Sequence, residues 1–276
     1  MKVVHLLKDI LVFFKRSTTA KAGIWYLVSD LLLKGMGFIT VPVFTRLLTL
    51  EDYGIVSVYS SFVTIMAILT GLNLHSGIGR AAIDFAEDYP KYLSSVLSLS
   101  FAFFLLSIVS MSTFSNSLSI RMGISGSLLS LATIAGYGSF VFTFYNSHLQ
   151  FQQKYKHRSL LHMIKAFSEV ILAIAMILLI SEAKYYGKVF SSVITSTVFA
   201  AFIFVIILTK GKRIIYKKAW SYAIKYGIPL IPHSLSSVIL AQFDRMAIQS
   251  LVGASETGLY SFAYSIGMIP LVFLSA

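Results

Sequence analysis

The stretch VPVFTRLLTLEDYG, Val41 to Gly54, lies between two apolar runs that are each long enough to cross a bilayer. A loop between two spans accounts for Glu51 and Asp52. Pro42 and Arg46 need a further reason. Around this stretch the chain of 276 residues is 57% apolar and only 12% charged, with a mean hydropathy of +0.80. A soluble domain carries about 25% charged residues. Composition alone therefore defines an integral membrane protein, all-α because its apolar runs have the length of spanning helices.

Runs of about 20 apolar residues give eight expected spans, near 22–44, 53–72, 93–114, 124–149, 163–181, 189–209, 222–243 and 257–276. The basic residues then divide unequally. Seventeen fall in the N-terminal tail and the second, fourth and sixth connections. Five fall on the other side (Arg46, Arg121, Lys184, Lys188 and Arg245), and Lys34 lies within the first span. Short loops rich in Lys and Arg stay in the cytoplasm, which makes the N-terminus cytoplasmic. The net charge of +12 is thus a topology signal, and no nucleic-acid partner is expected. Lys8-Asp9 interrupts the apolar region of the first 21 residues, so these read as an uncleaved amphipathic segment on the membrane surface.

Leu47–Ser57 aligns without gaps to Leu251–Ser261 through the pattern L-[LV]-x-x-x-[DE]-x-G-[IL]-x-S, and the same register matches Gly23-Ile24 with Gly227-Ile228. An offset of 204 residues covers six expected crossings. An even number keeps both copies in one orientation, as in a parallel repeat about the membrane normal. The expected organisation is a cytoplasmic segment (1–21), a six-helix lobe (22–209), a basic connection (210–221) and the first two helices of a second lobe (222–276). The sequence stops inside the eighth expected span, which reads as a fragment of a two-lobe chain.

Catalytic signatures are sparse. Gly187-Lys188 and Gly211-Lys212 lack the rest of a phosphate-binding loop, the six histidines fall at no metal-ligand spacing, and there is no cysteine. No cofactor or metal is expected. The informative residues are charges inside the apolar runs, each costing about 2.5–3.5 kcal/mol near a helix centre. Asp30 and Lys34 share one helical face, either as a self-neutralising pair or facing a cavity where Lys34 attracts an anion. Glu169 reads either as a snorkelling acid near Lys165 or as a site for a coupling ion. Pro42 near the end of the first span, and Pro229 and Pro232 interrupting its repeat counterpart, are hinge candidates with Gly35 and Gly37; static kinks are the alternative. The aromatics Tyr137, Phe140, Phe142, Phe144 and Tyr145 are expected to face lipid, with Gly136 and Gly138 allowing close helix approach.

Several stretches resemble the polysaccharide-unit flippases, the Wzx-like branch of the multidrug/oligosaccharidyl-lipid/polysaccharide exporter superfamily. They are Pro42–Gly54, Gly71–Arg80 (GLNLHSGIGR), Leu149–Lys154 (LQFQQK) and Gly227–Pro232 (GIPLIP), followed by Asp244-Arg245 and Gly258–Ser261. The resemblance implies a two-lobe MATE-like helical bundle with only the first lobe complete here, working by alternating access in the bacterial inner membrane. It implies a substrate, an undecaprenyl diphosphate-linked oligosaccharide, moved to the outer leaflet under an ion gradient. A glycan polymerase and chain-length machinery are the implied partners, beside membrane lipids. Lys34, Arg46, Arg80 and Arg245 are the substrate-binding candidates, and Asp30, Glu169 and Asp244 the ion-coupling candidates. Arg46 and Arg245 would meet the diphosphate at the outer mouth. A cation antiporter of the same fold and a membrane glycan polymerase are the competing functions.

Overall fold

The acids of the opening stretch start a helix. Asp52 N–H donates to Thr49 Oγ1 at 3.1 Å, and Thr49 N–H donates to the Asp52 carboxylate at 3.1 Å. This reciprocal capping box separates two helices with only Leu48 and Thr49 between them. The computed structural model describes residues 18–268, so most of the expected amphipathic segment over 1–21 and the end of the last expected span lie outside it. The side chains of Asp30, Lys34 and Arg121 also lie outside the described residues.

The described residues form helices α1 (Thr18–Leu47), α2 (Leu50–Gly71), a 3-10 turn (Leu74–Gly77), α3 (Ile78–Asp84), α4 (Tyr89–Met122), α5 (Gly126–Phe151), α6 (Tyr155–Leu179), α7 (Tyr185–Gly211), α8 (Lys217–Leu251) and α9 (Ala254–Gly267). No strand occurs among them. Among the described residues six helices are long and apolar enough to cross a membrane: α1, α2, α4, α5, α6 and α7. At 35 residues α8 also has the length, but Pro229, Pro232, His233, three nearby serines and Gln242 dilute its apolar content. It runs unbroken through both prolines, where an interruption was expected. Each proline removes a single N–H and fixes a φ that suits a helix, and the long flanking turns carry the segment through.

The fold places α5 at the centre. It packs between α2 on one side and α7 and α4 on the other. Two glycines set these distances. A Cβ on Gly136 would lie 2.7 Å from Met66 Cβ of α2, and one on Gly138 would lie 2.7 Å from the Ser196 backbone of α7. The aromatics of α5 are consequently core residues and not lipid-facing ones: Tyr137, Phe140, Phe142 and Phe144 are all buried. Hydropathy does not separate a lipid contact from a protein contact, since both are apolar. Tyr137 keeps its hydroxyl satisfied by Ser100 Oγ at 3.2 Å.

The repeat is visible in the element boundaries. Helices α1 and α8 end at Leu47 and Leu251, and α2 and α9 begin at Leu50 and Ala254, each pair 204 residues apart. The match is closer at these ends than elsewhere: Gly227 packs against the Leu72 carbonyl, while its mate Gly23 has nothing within 4 Å.

Gly138→Val is expected to destabilise the protein by about 1–3 kcal/mol, because the added atoms press on backbone that cannot move aside. A melting temperature in detergent equal to that of the parent would contradict this packing.

Candidate functional site: a cationic cavity beside a paired-glycine seam

Helices α2 and α9 meet where Gly54 faces Gly258. A Cβ on Gly54 would overlap the Ala254 carbonyl oxygen, and one on Gly258 would overlap the Leu50 carbonyl oxygen. Leu50 and Ala254 are repeat mates, as are Gly54 and Gly258, so exchanging the copies turns one contact into the other. One turn further along, Ser261 Oγ donates to Ser57 Oγ at 2.8 Å, again between repeat mates. The two copies therefore touch through the same surface, as across a local two-fold axis.

Beside this seam lies a cavity of about 330 Å³, bounded by α1, α2, α8, α9 and the first turn of α7. Its walls are rich in hydroxyls: Ser57, Ser60 and Thr64 lie along one face of α2, and Ser261 and Ser265 along α9. Phe44 and Tyr53 add aromatic surface, and two cations, Lys188 and Arg245, complete the lining.

Arg245 is held from two sides. Its Nη1 donates to Gln242 Oε1 at 2.7 Å, an oxygen that also accepts from Ser61 Oγ of α2 at 3.0 Å. Its guanidinium sits 4.6 Å from the centre of the Tyr264 ring on α9. Among the described residues it makes no ion pair, and its Nε is buried without a hydrogen-bond partner. The neighbouring Asp244 is engaged elsewhere, accepting from the Arg245 backbone N–H at 2.8 Å and from the Tyr260 hydroxyl. A fixed guanidinium with spare donors is suited to a phosphate-type anion.

Lys188 is tempered by an acid. It lies 3.3 Å from Glu169, which Lys165 also approaches at 3.6 Å, and its ammonium sits 5.0 Å from the centre of the Phe44 ring. Two lysines share one carboxylate, so this cluster keeps a net positive charge. The expected neighbour Lys165 is beside Glu169, and α6 begins at Tyr155, earlier than the expected span. Glu169 is thus about 21 Å along the helix, facing a lysine from the first turn of α7.

The other expected residues lie apart. Arg46 is exposed in the last turn of α1 and lines no part of the cavity. Arg80 is exposed on α3, at the opposite end of α2 from the seam, 3.5 Å from Asp84, which also accepts from the Tyr222 hydroxyl at 2.5 Å. Gly35 and Gly37 face open space, and Pro42 is exposed within an unbroken α1. Of the substrate-binding candidates with described side chains, Arg245 is the one in the cavity. Lys188 and Gln242 escaped the sequence reading, the first because hydropathy put it in a loop. Ser57 and Ser261 had a signal, as the last matched position of the repeat.

No group of three His, Asp or Glu among the described residues is arranged to hold a metal ion. An all-helical membrane bundle with a cationic, hydroxyl-lined cavity where two repeats meet defines a membrane protein of transporter architecture. The chain belongs to the family described as polysaccharide biosynthesis protein, which matches residues 19–276. It is similar to a Haemophilus influenzae protein named for the Lsg locus, with 22% identity over 93% of this chain and 63% of the relative. An uncharacterized membrane protein of the same organism is 25% identical over 91% of this chain and 61% of that protein. The chain thus spans about three-fifths of the length of these curated relatives. No solved structure matches it at a significant level.

The charge cluster predicts unequal effects of its members. Glu169→Gln leaves two lysines without their acid and is expected to cost about 1–3 kcal/mol. Lys188→Met leaves the Lys165–Glu169 pair intact and costs less. Melting temperatures in detergent would contradict the arrangement if Lys188→Met proved the more damaging.

Proposed function

We propose that the chain is the first lobe, with the start of the second, of a flippase that carries an undecaprenyl diphosphate-linked oligosaccharide from the inner to the outer leaflet of the bacterial inner membrane. The observation that supports this most directly is the net-cationic, hydroxyl-lined cavity at the meeting of the two repeats. A diphosphate needs uncompensated cations, and Arg245 makes no ion pair among the described residues. Sugar hydroxyls need partners that both donate and accept, as serine and threonine side chains do. Membership of a polysaccharide biosynthesis family agrees with a glycan substrate.

On this reading the basic connections face the cytoplasm, with the N-terminus, and the seam lies toward the outer face. Among the described residues the seam contains glycine contacts and the Ser57–Ser261 hydrogen bond, Ser61–Gln242 joins α2 to α8 beside it, and no ion pair crosses it. A neutral hydrogen bond contributes only about 0.5–1.5 kcal/mol, so the hydrogen bonds of this seam oppose its opening only modestly, as alternating access requires. Protonation of Glu169 would release Lys188 into the cavity, which couples the anion site to a proton. Asp30, Lys34 and Asp244 remain candidates for the same cycle, and Arg80 for capture at the cytoplasmic side. No bond of the substrate is broken, so the protein is a transporter and not an enzyme. The polymerase and chain-length machinery take the unit at the outer leaflet.

Arg245→Gln in cells that depend on this protein is expected to lower surface glycan at least tenfold, with unchanged protein in the membrane and lipid-linked units accumulating inside. Arg245→Lys keeps the charge without the fork and falls between. Undiminished export in Arg245→Gln would sink the reading, and altered resistance to cationic dyes would favour the antiporter.

A further inference from the structure

A second pair of recesses lies away from the cavity, along the line where α4, α5 and α7 meet. The first, of about 100 Å³, is at the end of the bundle carrying the basic connections. Tyr89, His148, Lys154 and Lys210 line it, and the Tyr89 hydroxyl and His148 Nδ1 are 3.1 Å apart. The second, of about 210 Å³, is lined by apolar parts of the same three helices, including Phe101 and Phe104 of α4, Tyr137 and Gly138 of α5, and Phe204 of α7. On α7, Ile206 of the first recess and Phe204 of the second are two residues apart, and on α4 the two linings together run from Tyr89 to Phe104. That run is about 22 Å of helix, most of the hydrocarbon thickness of a bilayer.

We propose that this line holds one anionic glycerophospholipid, its phosphate at Lys154 and Lys210 and an acyl chain in the apolar recess. Charge supports the head position. Neither lysine makes an ion pair among the described residues, and Asp88, next to Tyr89 in the chain, is already held by Lys91 at 2.6 Å. Basic pockets between helices at the cytoplasmic face suit anionic headgroups. Access supports the tail position, because Phe101, Thr197 and Ala201 are exposed on the rim of the apolar recess. Size favours a phospholipid over a polyprenyl diphosphate sugar. The head recess has room for one phosphate and no glycan. The inference assigns a use to Lys154, at the end of the LQFQQK stretch, which the transport cavity does not touch. It stands whether or not the protein is a flippase.

The test is native mass spectrometry of the purified chain released from nanodiscs of equimolar phosphatidylglycerol and phosphatidylcholine. One phosphatidylglycerol should stay bound, in at least tenfold preference over phosphatidylcholine. Lys154→Ala with Lys210→Ala, both exposed positions, should reduce that retention at least tenfold. Ala201→Trp, which fills the apolar recess from its exposed rim, should reduce it without touching a charge. Melting temperatures of the lipid-free variants separate loss of binding from loss of fold. Equal retention of the two lipids, unchanged retention in the lysine double variant, or displacement by millimolar inorganic phosphate would overturn the proposal. Displacement by undecaprenyl phosphate at equal concentration would assign the recess to the substrate lipid, and would overturn it as well.

Discussion

The approach of Gly54 to Gly258 is the constraint on which the rest depends. Neither position has room for a Cβ, and each glycine lies against the other copy's backbone. In a bilayer, helices gain little from hiding apolar surface from lipid, so association relies on close packing and hydrogen bonds. Two glycines supply the first and the Ser57–Ser261 pair the second. Everything that lines the cavity on this side follows from that contact. It brings α9 beside α2, which lets Gln242 of α8 accept from Ser61 of α2 and so holds Arg245.

The same seam explains the opening stretch. Thr49 and Asp52 make the capping box that turns the chain within two residues, and the turn delivers Gly54 to the contact one helical turn later. The second copy reaches the same place by different means: Gly253 takes the cap position with a positive φ of 137°, and Thr257 Oγ1 donates to its carbonyl at 2.7 Å. Sequence identity between the copies is low because only the contact surface is shared. The turn chemistry is free to differ.

This also decides what could be read in advance. Six helices of spanning length were legible, because twenty apolar residues have few other fates. The repeat was legible because close backbone approach needs glycine at both mates. The faces were not. Phe140 and Phe144 look like lipid-facing aromatics and are buried, since hydropathy is blind to what an apolar side chain touches. The start of α6 was set too late because Lys156, Arg158 and Lys165 lowered the local hydropathy without stopping the helix. Arg245, which the sequence placed at the outer end of its span, lines the cavity. Gln242 carries no signal in the sequence, and its role is set by the neighbour that the seam brings within reach.

The central claim is that the two repeats touch at Ser57 and Ser261 and, on the proposed function, that this contact opens during transport. The chain has no cysteine, so Ser57→Cys with Ser261→Cys places a single candidate disulfide at the seam. Hydroxyls 2.8 Å apart put the two side-chain tips side by side, where paired thiols would meet. Mild oxidant should join the pair within one chain and stop glycan export, reductant should restore it, and each single variant should export throughout. Failure to cross-link would contradict the seam, and full export with the bond closed would contradict its opening.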